Sequence, residues 1–86
     1  MKSELVAIFS RIQDQKVMNK FFQEIFTDAE RSDLDLRWEL MKRLHEGVAQ
    51  REIASELGIS LCKITRGSKI VKSKTSTTNK ILSGKF

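Results

Sequence analysis

Residues 50–64 read Gln50-Arg51-Glu52-Ile53-Ala54-Ser55-Glu56-Leu57-Gly58-Ile59-Ser60-Leu61-Cys62-Lys63-Ile64, and most of these positions have a mechanical role. Ile53 and Leu57 lie one turn apart and face a core from a first short helix. Ala54 is small, as required where a second helix must cross closely. Gly58 suits a tight turn, where a positive φ is tolerated best without a Cβ. Ile59 plugs the inside of that turn, Ser60 is a good N-cap for the second helix, and Ile64 returns to the core. Two helices meeting across a short turn with Gly form a helix-turn-helix. A generic helical hairpin shares the apolar spacing, but the Ala, Gly and Ser positions favour the more specific arrangement.

What remains facing outward points to a function. Leu61, Cys62, Lys63 and Thr65 sit at the start and side of the second helix, where base edges would be met. Arg51, Lys69 and Lys72 are placed for phosphates, with a guanine edge a further option for Arg51. Gln50 and Ser60, at the two helix starts, complete the candidate DNA-binding set. One position breaks the pattern. About three residues after Ile64, where another apolar side chain should point inward, stands Gly67. A mid-helix Gly costs roughly 1 kcal/mol, and here it is expected to leave a gap against the core, with Arg66 beside it. A locally weak helix explains Gly67 equally well on physical grounds.

Charge supports the same end of the chain. Residues 1–58 hold nine Lys/Arg against eleven Asp/Glu, whereas residues 59–86 hold seven Lys/Arg and no acid. A mildly acidic body with a basic end suggests a polyanionic partner on one face. A merely solvated basic tail is the alternative.

Upstream, residues 4–14 place Leu5, Ile8, Phe9 and Ile12 at helical spacing. Residues 17–26 repeat the pattern with Val17, Met18, Phe21, Phe22, Ile25 and Phe26, so these stretches hold four of the five Phe. That is more apolar surface than one small monomer readily covers, and it predicts a core plus a self-association surface. Thr27-Asp28-Ala29-Glu30 forms a capping box. It starts a longer helix running to about Glu46, with Leu34, Trp38, Met41 and Leu44 along one side and Leu40 adding width. Gly47 stops it, with Arg43 and His45 in the last turn. His45 lacks a Cys, Asp or Ser partner in any motif and reads as a surface or capping side chain. Beyond Val71, a Ser/Thr cluster forms a weak linker, and Thr78 could start a last short helix through Ile81 and Leu82.

The whole is 86 residues with no Pro, four Gly and one Cys. This predicts a single all-α domain of five to six short helices. Residues 1–47 would serve dimerisation and core, 48–72 the DNA-reading head, and 73–86 a C-terminal segment. A chain this short gains from pairing with a second copy. Lone Cys62 fits a reducing cytoplasm. One His and one Cys leave no metal set, and no run is long enough to span a membrane. No nucleophile–base pair or phosphate loop suggests an enzyme.

The residues Gln50-Arg51-Glu52, Ile53-Ala54, the run Ile64-Thr65-Arg66-Gly67-Ser68 and Lys72 together resemble the Trp repressor family. The likeness is good over residues 26–72 and looser in the first two helices. It implies an interlocked all-helical homodimer that binds double-stranded operator DNA, with L-tryptophan as co-repressor and no other cofactor. It also implies that the indole lies between Arg37 and Arg66, with Thr27 near the ligand's amino and carboxylate groups. Gly67 would supply open space and Met41 would line the pocket. An indole between two guanidinium planes is physically sensible, since Arg stacks on aromatic faces.

Two departures bear on these implications. Ile70 stands where a serine commonly helps hold the ligand amine, and the stretch before Gln50 is about one residue shorter. The leading expectation is therefore a ligand-gated repressor of tryptophan-related genes. The alternative is a regulator of the same fold that does not sense tryptophan or senses another indole. A protein-interaction module with a basic end is a third reading.

Overall fold

A computed structural model of the chain describes residues 3–84. Among these residues it contains six helices and no strand, as the spacing of apolar residues predicts. None of the helices is long and apolar enough to cross a membrane. The chain divides into two compact units, residues 1–33 and 34–86.

The first unit begins with α1 (Glu4–Arg11), capped by the Ser3 hydroxyl, which accepts from the Val6 amide at 3.3 Å. The helix expected over residues 4–14 stops early because Asp14 is recruited elsewhere. Its backbone is extended and its carboxylate accepts from the Lys16 amide at 3.0 Å, capping α2 (Gln15–Ile25). Four phenyl rings form the heart of this unit. Phe9 meets Phe21 edge-on at 5.4 Å between centroids, and Phe22 meets Phe26 at 4.7 Å. Yet no residue of α1 or α2 is fully buried, and Val6, Val17 and Ile25 are exposed.

The long helix α3 (Asp28–His45) starts with the predicted reciprocal cap. The Glu30 amide donates to the Thr27 hydroxyl at 3.1 Å, and the Thr27 amide donates to the Glu30 carboxylate at 2.9 Å. Arg31 braces this corner by donating to the Phe26 and Gln23 carbonyls and to Asp28. At the other end Gly47 (φ 88°) donates to the Leu44 carbonyl, while Val48 donates to that of Arg43. These two bonds make a Schellman stop, which needs the left-handed glycine.

The second unit is built on α4 (Gln50–Leu57), α5 (Leu61–Lys72) and α6 (Thr77–Leu82) with the C-terminal part of α3. Its core is Leu40, Ile53 and Ile64, with Leu44, Val48, Ala54, Leu57 and Ile59 packed around them. Ile53 and Ile64 are wholly shielded, each contributing about 1.5–3 kcal/mol by burial. Trp38, expected on the apolar side of α3, is instead exposed. It lies about 200° around the helix from Leu40, so one stripe cannot bury both, and Leu40 with Leu44 takes the core.

The last helix begins earlier than expected. Ser76, not Thr78, is next to its first turn, and the Ser76 hydroxyl accepts from the Asn79 amide at 3.1 Å. Asn79 then donates its side-chain amide to the Val71 carbonyl, which ties α6 to the end of α5. His45 is a surface side chain whose Nε2 lies 3.2 Å from the Ser83 hydroxyl.

Candidate effector pocket and nucleic-acid interface

The turn between α4 and α5 has the geometry its sequence dictates. Gly58 adopts φ 64° and ψ 35°, and its amide closes the end of α4 on the Ala54 carbonyl. Ser60 then turns extended, and its hydroxyl accepts from the Lys63 amide at 3.4 Å, starting α5. Ile59 packs inward on the core, as does Ala54 at the crossing. An ion pair from Arg43 on α3 to Glu56 on α4 fastens the outer side. Arg43 also donates to Glu39 at 3.2 Å, and Lys42 reaches the same carboxylate at 3.0 Å. Hydrogen bonds from Lys42 first, and then from Arg43, hold the Glu39 carboxyl below its usual range. Glu39 in turn strengthens the charged form of Arg43.

Helix α5 presents two faces. One looks onto a cavity of about 460 Å³ that is lined by Arg37, Leu40 and Met41 of α3 and by Lys63, Arg66, Gly67 and Ile70 of α5. That volume is in the range of small-molecule sites. Of the five residues expected to hold a ligand, Arg37, Met41, Arg66 and Gly67 therefore share one cavity. Thr27 belongs to the first unit, where its hydroxyl and amide are committed to the capping box.

The gap expected at Gly67 is not an empty slot above its Cα. A Cβ built there would lie 3.2 Å from Leu44 Cδ1 and 3.4 Å from Met41 Sδ. Gly67 is buried because the side chains of Leu40, Met41 and Leu44 from α3 lie over it and occupy the expected space.

The other face of α5 carries Leu61, Cys62, Thr65, Lys69 and Lys72, all exposed. Thr65 donates its hydroxyl to the Leu61 carbonyl at 2.9 Å, which leaves its methyl group and a lone pair outward. Arg51 is exposed on α4, and Gln50 at the start of α4 is half-buried. Lys63, expected among the DNA-facing residues, is exposed and also lines the cavity. Its position on the wheel is the cavity side, shared with Arg66 and Ile70. The spacing 63, 66, 70 carries that signal, since these residues fall one and two turns apart on one stripe. Leu40 also lines the site, although the sequence reading does not include it there, and Ile70 lines it where the resemblance puts a ligand-facing position.

Against this geometry, comparison with known proteins is decisive. The family model described as "Trp repressor protein" matches residues 2–85. This chain belongs to the Trp repressor family. Relatives named "Trp operon repressor homolog" include one from Chlamydia trachomatis, 35% identical over 68 residues, covering 78% of this chain and 72% of the relative. One from Chlamydia caviae is 33% identical, covering 80% and 69%. A third, from Vibrio campbellii, is 31% identical, covering 86% and 75%. A search of solved structures found no match. The Trp repressor family is a regulatory, DNA-binding one, and its model spans both compact units of the chain.

Proposed function

We propose that this chain is a DNA-binding transcriptional repressor of tryptophan-related genes, acting as an interlocked homodimer in the cytoplasm. L-tryptophan would be the co-repressor. The observation that carries the reading is the pairing of Arg37 and Arg66, from two helices, on one cavity behind the second helix of the helix-turn-helix. Guanidinium planes stack on aromatic faces and donate to carboxylates, so one cavity can hold both ends of the ligand. Thr27 is assigned a share of the ligand's polar end, Gly67 a close backbone wall, and Met41 an adaptable apolar contact.

The two faces of α5 explain how ligand and DNA would be coupled. A molecule seated against Lys63, Arg66 and Ile70 sets the orientation of the same rigid helix that offers Leu61, Cys62, Thr65, Lys69 and Lys72 to the groove. Arg51, Gln50 and Ser60 add contacts from the helix starts. Two such heads in a dimer would meet half-sites about one DNA turn apart. The ligand then shifts the population toward the DNA-competent orientation by its differential affinity for that state. The half-exposed phenyl rings and the exposed Val6, Val17 and Ile25 favour a second copy as their cover. On this reading residues 1–47 serve dimerisation and core, 48–72 form the reading head, and 73–86 are the C-terminal segment.

Selection from a random duplex library, followed by affinity measurement with and without L-tryptophan, tests this directly. The expected outcome is a (pseudo)palindromic site bound about 5- to 150-fold more tightly with ligand, the usual span of allosteric coupling. Sequence-independent binding that ignores the ligand would refute it. The second reading, a response to another indole, is favoured by one observation: Ile70 gives the cavity an apolar wall.

A further inference from the structure

The chain beyond α5 carries cations that the helix-turn-helix does not use. Lys72 ends α5, and Ser73 to Ser76 follow as a turn closed by the Ser76 amide, which donates to the Ser73 carbonyl at 3.2 Å. Lys74 takes the second position of this turn, at its exposed corner. Asn79 of α6 donates its side-chain amide to the Val71 carbonyl, so Lys80, the next residue, is held near the end of α5. Bond lengths and that one hydrogen bond keep the Lys80 Cα within roughly 13 Å of the Lys72 Cα, and the Lys74 Cα within roughly 7 Å of it. All three lysines are exposed, and none forms an ion pair among the described residues. The carboxylates of this unit stand on α3, on α4 and in the turn after α3.

This patch adjoins the reading head. Lys72 and Gln50, at the start of α4, line one cavity of about 230 Å³, so the end of α5 and the start of α4 meet at one edge. A duplex that continues past the bases read by α5 carries further phosphates, one about every 3.4 Å along each strand. Resting on the DNA-binding role proposed above, we propose that Lys74 and Lys80 extend the interface onto the backbone of the duplex flanking the recognised site. A solvated basic tail would have to be ordered on binding. Here the turn and the Asn79 tie hold both lysines in place beforehand, which lowers that cost. Contacts of this kind add affinity and fix orientation without reading sequence.

Fluorescence anisotropy of the full chain with two labelled duplexes tests the proposal. One is the site recovered by selection, trimmed to its ends, and the other is the same site with about one helical turn of unrelated sequence added on each side. The wild-type chain should prefer the flanked duplex by about eightfold per engaged lysine at about 0.1 M salt, with a salt slope steeper by about one for each. Lys74→Gln combined with Lys80→Gln should remove that preference and the extra slope. Circular dichroism confirms that the double variant is folded, and the wild-type comparison stands even where it is not. Equal wild-type affinity for the two duplexes, or a folded variant that keeps the full preference, would overturn the inference and leave the reading head intact. A variant weakened equally on both duplexes would overturn the placement of these lysines on the flank. A wild-type chain that selects no site would overturn the proposed function and this inference with it.

Discussion

Replacing Gly67 with alanine sets two effects of known size against each other. Alanine in a helix interior is favoured over glycine by about 0.8–1.0 kcal/mol. Against this, the new methyl would sit 3.2 Å from Leu44 Cδ1, 3.4 Å from Met41 Sδ and 3.5 Å from Leu40 Cδ2. Only the first is clearly too short, by a few tenths of an ångström. Leu44 and Met41 are half-buried rather than locked in the core, and both contacts are side-chain ends, so relief is cheap. The expected result is a gain of between about 0 and 1 kcal/mol for Gly67→Ala, whereas Gly67→Val, with two more methyls, should lose about 1–3 kcal/mol.

Ligand binding should move the other way. Met41 lines the cavity, and pushing it from Gly67 narrows the space, so Gly67→Ala should weaken L-tryptophan about 5- to 150-fold, if the ligand meets that same overpacking cost. Urea unfolding at one fixed protomer concentration measures the first effect and calorimetry the second. A loss of more than about 1 kcal/mol in the alanine variant would show that α3 and α5 cannot separate, refuting the argument from flexible side-chain ends. Unchanged ligand affinity would refute the narrowing of the cavity.

Lys72→Ala should weaken binding to all DNA sequences alike and reduce the salt slope by about one; a loss confined to one sequence would contradict a phosphate contact. Ser60→Ala removes the cap of α5 and should cost about 1 kcal/mol, read from urea midpoints. Glu39→Gln probes the carboxyl held low by Lys42 and Arg43. Because the folded pKa lies below the unfolded one, the wild-type advantage is fully present above the ordinary glutamate range. It should disappear as pH falls through the folded value. A wild-type advantage that persists at the lowest pH of the titration would count against this ion-pair account.

The parts of the fold legible in the sequence are those decided locally. Thr27 and Glu30 cap one another three residues apart, Gly58 takes its left-handed turn, and Ser60 caps from the adjacent residue. Each needs only nearby backbone. The miss at Trp38 is of another kind. A wide apolar stripe on α3 has no preferred centre until α4 and α5 pack on it, and that packing selects Leu40 and Leu44. The start of α6 is open among several Ser and Thr caps until Asn79 finds the Val71 carbonyl. At the site, the residues of α3 and α5 that share the cavity are legible through likeness to a family. The side of α5 on which Lys63 sits is written in its spacing to Arg66 and Ile70, but its chemistry points equally to DNA.

The phenyl cluster of the first unit bears on how such a regulator would be dosed in the cell. Helices that leave every residue at least partly open to water derive little stability from their own unit. If a second copy completes them, folding and assembly become a single equilibrium, and the thermal midpoint rises with protein concentration. Scarce protomers would then be the least folded and the first removed by proteolysis. The active population would climb faster than linearly with synthesis, turning a gradual change in expression into a sharper change in occupancy of its DNA sites.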